Sequence, residues 1–185
     1  MNATEKWTDR VEFEITGHPV AKGRARSTLI PKNGGGYAAG VDGRPIIRHI
    51  TPEKTRAWEA DARQVARAAM AGAACMEGPI TLTVEAIFAI PASWPDWKRT
   101  AAEMGAIRPT GKPDMDNVVK AAKDAANGII WTDDSQVVDL QARKRYGRNP
   151  AVRVVAQRAD GFGHHATRAD IKTAQAPFMN LGVAA

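Results

Sequence analysis

Residues 112–147 read KPDMDNVVKAAKDAANGIIWTDDSQVVDLQARKRYG, and the patterns in this stretch predict a helix followed by strands. Residues 117–127 favour a helix by propensity. Asn127-Gly128 is a suitable C-terminal cap for that helix. The short apolar run at 129–131 reads as a strand.

The end of the stretch predicts a second strand at 136–146, QVVDLQARKRY. A further strand is predicted at 151–159, AVRVVAQRA. Because only the turn from Gly147 to Pro150 separates the two, we expect them to pair as a hairpin. The sheet is therefore expected to be mixed or antiparallel.

The preceding residues carry four more periodic patterns. They predict strands at 11–17 and 80–90, a long helix at 51–72 and a short helix at 95–104. In the long helix, Thr51 is the expected N-cap and Pro52 the first helical residue. These elements predict a single α+β domain over residues 1–159, with helices packed on a small sheet.

Two segments lack a sustained period. Residues 19–50 are rich in glycine and basic residues and predict a long loop or mobile hairpin, a candidate substrate arm. Residues 160–185 are rich in alanine and glycine, and we expect a loosely ordered C-terminal tail.

The composition favours a polyanionic partner. The chain has 185 residues and a net charge of +6, and its pI is about 9.7. Such a balance favours binding to phosphates. Cys75 is the only cysteine, which excludes an intrachain disulfide and a cysteine-based zinc site. No apolar run is long enough to span a bilayer, so we expect a cytoplasmic protein without membrane contact.

Four aspartates flank the predicted helix of residues 117–127. They are Asp114, Asp116, Asp133 and Asp134. Asp116 alone is explained as a helix N-cap. Asp114, however, lies two residues earlier in an extended approach, so its side chain can point to the same side. A second acidic pair within reach strengthens the case for a cation site over a structural charge cluster.

Lys120 lies one helical turn after Asp116, and Asp124 follows one turn later. The row is explained either as a solvated ion-pair ladder or as a cation placed beside a reacting phosphate. Carboxylates are ligands that Mg²⁺ prefers. The histidines lack zinc-ligand spacing, and no P-loop or nucleophile elbow is present. Metal-assisted phosphoryl chemistry is therefore favoured over a purely structural role.

The stretch at 112–147 resembles the signature of the RusA-type Holliday-junction resolvases. The shared pattern is a D-x-D-N that opens a helix, a helical lysine, an aspartate one turn later and a D-D-S/A-Q before a strand. A weaker resemblance covers HPVAKGRARS and HITPEKTRAWE near the front. Ala25 stands where many relatives have proline, and the tail after Asp160 exceeds the family core.

The resemblance implies a RusA-like homodimer that cuts branched DNA, including four-way junctions, with Mg²⁺ or with Mn²⁺ as a substitute. By position it implies that Asp114, Asp116 and Asp134 bind metal and act in catalysis, with Asp133 as an adjacent metal-site acid. Lys120 is the implied catalytic lysine.

Basic residues in two places are candidate DNA contacts. Lys22, Arg24 and Arg26 alternate, so in an extended segment they project from one face towards a phosphate backbone. Arg143 and Lys144 lie on the predicted strand at 136–146, where basic residues are equally explained as protection of a sheet edge.

Two rival functions remain at this point. The first is a catalytically silent module of the same fold that binds branched DNA, which the complete acidic set and the lysine disfavour. The second is a glycosyltransferase-like D-x-D site. The glycines lack the strand-to-helix context that a nucleotide-sugar enzyme needs, which counts against it.

Overall fold

The secondary structure follows the chain in a regular order. The computed structural model describes residues 8–23 and 26–159, apart from the side chains of Arg26 and His49. The elements are β1 (Arg10–Thr16), β2 (Arg26–Leu29), β3 (Ile47–Ile50), α1 (Glu53–Met70), β4 (Ile80–Ala89), α2 (Asp96–Glu103), α3 (Met115–Ala126), a 3₁₀ turn (Asp134–Gln136), β5 (Val137–Gly147) and β6 (Ala151–Arg158).

Four strands form a mixed sheet in the order β1-β6-β4-β5. β4 pairs in parallel with β5 and antiparallel with β6, and β6 pairs antiparallel with β1. The predicted α+β class with a mixed sheet is therefore confirmed. One face of the sheet is apolar and packs with α1 and α3 into a single core that includes Phe13, Leu82 and Val154.

The predicted hairpin between the last two strands is wrong. β6 forms where expected, but β4 lies between it and β5. Leu82, Val84 and Ala86 of β4 are fully buried, so this strand takes a central position with neighbours on both sides. The short link at 148–150 therefore joins two strands that do not pair with each other.

The predicted strand at 129–131 is also absent. These residues form a turn, with isolated bridges from Trp131 to Met76 and to Asn127. Ile130 and Trp131 are fully buried. Their apolar character reflects a buried turn rather than a strand, a distinction that a run of three residues cannot make.

Two predicted helix starts are shifted. The N-cap of α1 is Pro52 rather than Thr51. The N-cap of α3 is Asp114 rather than Asp116, which lies inside the first turn. The helix ends as predicted at Asn127, followed by Gly128 with φ +71°.

The segment at 19–50 contains the antiparallel strands β2 and β3, so the hairpin alternative holds. Pro31 bridges to Tyr37 and Ala39 to Pro45 in the connection between them. We call residues 26–50 the arm. Its mobility stays a prediction, and Arg24 and the tail at 160–185 lie outside the described residues.

None of the described helices combines the length and the apolar character that crossing a membrane requires.

Candidate active site

A cavity of about 610 Å³ lies between α3 and the beginning of β5. We call it the acidic cavity. It is lined by Met115, Asp116, Val119, Lys120, Lys123, Asp124, Asp134, Leu140 and Ala142. Two of the three aspartates predicted for metal and catalysis therefore share a cavity with the predicted catalytic lysine.

Asp134 is held on both of its carboxylate oxygens. The buried indole of Trp131 donates from Nε1 to Oδ1 over 2.9 Å. Lys123 Nζ lies 3.9 Å from Oδ2 and 3.5 Å from the backbone oxygen of Asp134. The bond from Trp131 and the nearby ammonium of Lys123 restrain the Asp134 side chain at the edge of the cavity.

Asp116 and Lys120 present freer side chains. The only hydrogen bond of the Asp116 carboxylate among the described residues comes from the neighbouring Asn117 amide, over 3.5 Å. Lys120 is exposed and makes no ion pair within the described part of the chain. Asp124 pairs with Lys22 instead. The ion-pair ladder along α3 therefore does not form here.

Asp114 faces a different cavity. It lies with Asn117, Lys54 and Lys112 against a volume of about 540 Å³ between the start of α1 and the start of α3. Among residues 8–23 and 26–159, no group of three or more acidic, histidine or cysteine side chains converges on one point. The predicted set of four metal ligands stays a prediction.

The residues of the acidic cavity nevertheless fit a hard divalent cation in their chemistry. Mg²⁺ in phosphoryl-transfer sites is commonly held by one or two carboxylates, with waters and substrate phosphate as the other ligands. Asp116 and Asp134 supply two such carboxylates on one cavity.

Asp133 has a structural contact that its sequence position did not predict. Its Oδ1 accepts a hydrogen bond from the Ser135 backbone N–H over 2.8 Å, which caps the 3₁₀ turn. Hydrogen bonds from the Ser135 side chain and backbone hold the pKa of Asp133 below its ordinary value. The carboxylate is therefore charged at neutral pH and already used by the turn.

Gln136 completes the turn. Its Oε1 accepts from the backbone N–H groups of Thr132 and Asp133, at 2.8 and 3.0 Å. Its Nε2 donates to the carbonyls of Met76 and Gly78. The D-D-S-Q motif thus fixes the loop that carries Asp134 to the segment before β4.

Lys22 lies at the root of the arm and contacts two carboxylates. Its Nζ is 2.6 Å from Glu59 Oε1 and 2.7 Å from Asp124 Oδ2. Burial opposes the charge, but the bonds to Asp124 and Glu59 outweigh it and raise the pKa of Lys22. In the structure this ammonium links α1 to α3 instead of standing free. A DNA contact by Lys22 stays a prediction.

The two candidate DNA contacts on β5 also have internal partners. Arg143 Nε donates to Glu85 Oε1 over 2.8 Å. Lys144 Nζ donates to the Gly111 carbonyl over 2.8 Å. β5 is an edge strand of the sheet, so these basic residues can also be explained as protection of a sheet edge. Their contact with DNA stays a prediction.

Sequence reasoning missed the residues that hold the site in place. Trp131 was read as strand, and neither Lys123 nor Glu59 was singled out. A signal for Trp131 was present, since a tryptophan three residues before an aspartate can reach it across a tight turn. Lys123 gave no such signal, because its partner is eleven residues away and across a turn.

The chain is similar to known proteins. The profile of a family described as "Endodeoxyribonuclease RusA" matches residues 16–156. A protein described as "Uncharacterized protein YqaN" from Bacillus subtilis (strain 168) is 35% identical to this chain over 149 residues. That alignment covers 80% of this chain and 95% of the relative.

Proposed function

The chain belongs to the RusA endodeoxyribonuclease family, and we propose that it is a Mg²⁺-dependent endonuclease that resolves Holliday junctions in DNA recombination and repair. Mn²⁺ is the expected substitute. In this proposal the protein works as a homodimer that makes paired cuts in opposed strands of a four-way junction, because a two-fold symmetric enzyme suits two-fold symmetric cutting.

The acidic cavity is the observation that carries this proposal. It places Asp116, Asp134 and Lys120 around one volume in a chain with a net charge of +6. Carboxylates beside a lysine that makes no ion pair with the described residues are suited to a phosphate group and its cation. An inert charge cluster would instead be expected to neutralise its lysine internally, as Asp124 and Glu59 neutralise Lys22.

The reaction is hydrolysis of a phosphodiester. A water oxygen bonds to phosphorus and gives up one proton, the bond from phosphorus to one deoxyribose oxygen breaks, and that deoxyribose oxygen takes up a proton. A divalent cation, when bound, would polarise a phosphoryl oxygen and make a bound water more acidic. In this proposal Asp116 and Asp134 hold that cation, and Asp114 joins them when substrate is bound.

Lys120 is placed to stabilise the charge that accumulates on the phosphate. Its exposed ammonium lies at the same cavity as Asp116, one helical turn away. A positive charge brought against the phosphate at this point would favour the transition state over the ground state. Trp131 and Lys123 act through Asp134, because they orient its carboxylate.

DNA is proposed to run from the acidic cavity towards the arm. Arg24 and Arg26 are the expected phosphate contacts there, with Lys22 fixing the root. Arg143 and Lys144 are retained as secondary contacts, since Arg143 is 62% exposed despite its bond to Glu85.

The test is cleavage of a labelled four-way junction by purified protein. We expect symmetric cuts with Mg²⁺ and none with Ca²⁺ or with a chelator. A linear duplex assembled from the same sequences is the matched control and should stay intact. Binding of the junction without cleavage in Mg²⁺ and in Mn²⁺ would favour the silent DNA-binding module.

A further inference from the structure

The short helix α2 is anchored to the end of β5 at both of its own ends. Trp94, just before α2, packs edge-on against the ring of Tyr146, with the ring centroids 5.2 Å apart. After the helix, Glu103 accepts hydrogen bonds from Arg148 on both carboxylate oxygens, over 3.0 and 3.1 Å. Ala102 is fully buried. The position of α2 relative to β5 is therefore fixed by its inner side.

The outer side of α2 presents two large apolar side chains. Trp97 is 70% exposed, and Met104, the C-cap, is 80% exposed. They are seven residues apart, two helical turns, so they lie on the same face. Single exposed apolar residues are common on protein surfaces. Here, however, a tryptophan ring is held in solvent by a helix that is anchored on its other side, which gives it a defined position for a flat partner.

α2 lies on the same side of the sheet as the acidic cavity. Leu140 and Ala142 of β5 line that cavity, and every second residue of a strand points to the same side. Tyr146, which contacts Trp94, is therefore on that side, four residues after Ala142. At about 3.3 Å per residue the separation along β5 is about 13 Å. A DNA strand that rises about 3.4 Å per nucleotide covers this distance in about four nucleotides.

A basic segment joins the two places. Residues 104–113, which we call the basic link, connect α2 to α3 and contain Arg108 and Lys112 but no acidic residue. Both of these residues are exposed. The basic link runs beside β5, where Lys144 Nζ donates to the Gly111 carbonyl over 2.8 Å. The route from the acidic cavity to α2 is therefore complementary in charge to a phosphate backbone.

The acidic side chains of α2 do not oppose this route. Asp96 lies 3.7 Å from Arg99, and Glu103 is bound by Arg148. Each carboxylate of the helix thus has a guanidinium beside it, and phosphate would not meet an uncompensated negative charge there.

We propose that the Trp97 ring stacks on a nucleobase that has lost a stacking neighbour at the branch point of the DNA, while the basic link follows the phosphates between this base and the acidic cavity. An aromatic ring can stack on any base, because every base has a flat π-face. Inside a duplex both faces of a base are covered, so Trp97 would distinguish branched DNA from linear DNA. Met104 adds adaptable apolar surface beside the ring. This inference rests on the proposed function for its substrate and adds a residue that selects it.

DNA affinity in Ca²⁺ tests the stacking. Trp97→Ala should weaken binding of a four-way junction by roughly tenfold to a hundredfold, the range found when a stacking aromatic side chain is removed. Trp97→Phe keeps a ring and should keep most of the affinity. Binding of a linear duplex of the same sequence should not change in either variant. Glu12→Ala, on the far edge of the sheet, is the control variant and should bind both DNAs as wild type does.

Photo-cross-linking tests which residue touches the base. A junction that carries 5-iodouracil at the branch point should, on irradiation, become bonded to the peptide that contains Trp97. The same label placed within a paired arm should give no bond to this peptide. The Trp97→Ala variant should lose the cross-link.

The outcomes separate this site from the proposed function. A cross-link at Trp97 in a protein that cuts no junction in Mg²⁺ or Mn²⁺ overturns the proposed cleavage and leaves the base site standing. Wild-type junction affinity and cleavage in Trp97→Ala overturn the base site and leave the proposed function standing. The base site is also overturned if sedimentation shows that Trp97→Ala dissociates a dimer, because a second copy would then cover α2. Wild-type protein that does not bind junctions overturns both.

Discussion

The two aspartates predicted for metal binding that line the acidic cavity, Asp134 and Asp116, differ in how firmly the protein holds them. In the turn before β5, Asp133 and Asp134 accept hydrogen bonds from Ser135 and Trp131. At the start of α3, the Asp116 carboxylate has one long contact with its neighbour. Among the described residues, the fold restrains Asp134 and leaves the Asp116 carboxylate with a single long contact. We infer that Asp134 holds a position for the cation in advance, and that Asp116 takes up its final position when cation and substrate bind.

The largest effect on cleavage is expected at Asp116, the less restrained of the two carboxylates. Asp116→Asn should reduce single-turnover junction cleavage by on the order of 10³-fold or more, because a ligand and a charge are lost where the transition state needs both. Junction affinity in Ca²⁺ should stay the same or increase, since a negative charge near phosphate is removed. Cleavage at the wild-type rate would exclude Asp116 from the site.

Lys120 is expected to show the next largest effect. Lys120→Met should lower the cleavage rate by roughly 10²-fold, as for other single electrostatic stabilisers, with little change in junction affinity. Lys120→Arg should rescue poorly, because a planar guanidinium cannot place its charge where the ammonium was. Normal turnover by the methionine variant would make Lys120 a surface residue without a part in the reaction.

A substitution of Lys123 tests how much the restraint on Asp134 contributes to metal binding. Lys123→Met should raise the Mg²⁺ concentration for half-maximal cleavage by roughly 10-fold to 100-fold, the range found for residues that orient metal ligands. The rate at saturating Mg²⁺ should fall less, and Lys123→Arg should restore much of the affinity. An unchanged Mg²⁺ dependence, with a folded protein, would show that Trp131 suffices to hold Asp134.

The smallest effect concerns Asp133 and is seen through pH. Its folded-state pKa is lowered from the ordinary 3.8, so its charge stabilises the fold above that pH and the contribution is lost as pH falls through the folded value. Asp133→Asn keeps an acceptor for the cap. Its unfolding midpoint in urea should lie slightly below that of wild type at neutral pH, and the difference should vanish in acid. A difference that persists in acid would exclude the charge as its cause.

Local signals in the sequence predicted most of the elements. The alternation at 11–17 and 80–90, the long alanine-rich helix and the cap at Asn127 all depend on neighbouring residues, and each was found. The hairpin between β5 and β6 failed because strand order depends on which strand buries both faces. That property belongs to β4, far away in the chain.

In the candidate site, too, local features could be predicted from the sequence and long-range contacts could not. The cavity with Asp116, Lys120 and Asp134 follows from helical spacing and a nearby turn, so sequence could anticipate it. The bond between Lys22 and Asp124 spans about a hundred residues and depends on how α1 packs against α3. No local pattern around Lys22 records that contact, and the alternation of Lys22, Arg24 and Arg26 pointed to DNA instead.

The attachment of the arm at its root has a mechanical consequence. The backbone N–H of Lys22 donates to the Asn117 carbonyl over 2.9 Å, and its ammonium holds Asp124, nearly two helical turns along α3. Thr55 of α1 contacts Ala21 and Gly23 on either side. Residues 21–23, just before the arm, are therefore joined both to α1 and to α3, the helix that carries Lys120. We expect that residues 26–50 can be shortened or exchanged without unfolding the domain, as long as Lys22 keeps its contacts with Glu59 and Asp124.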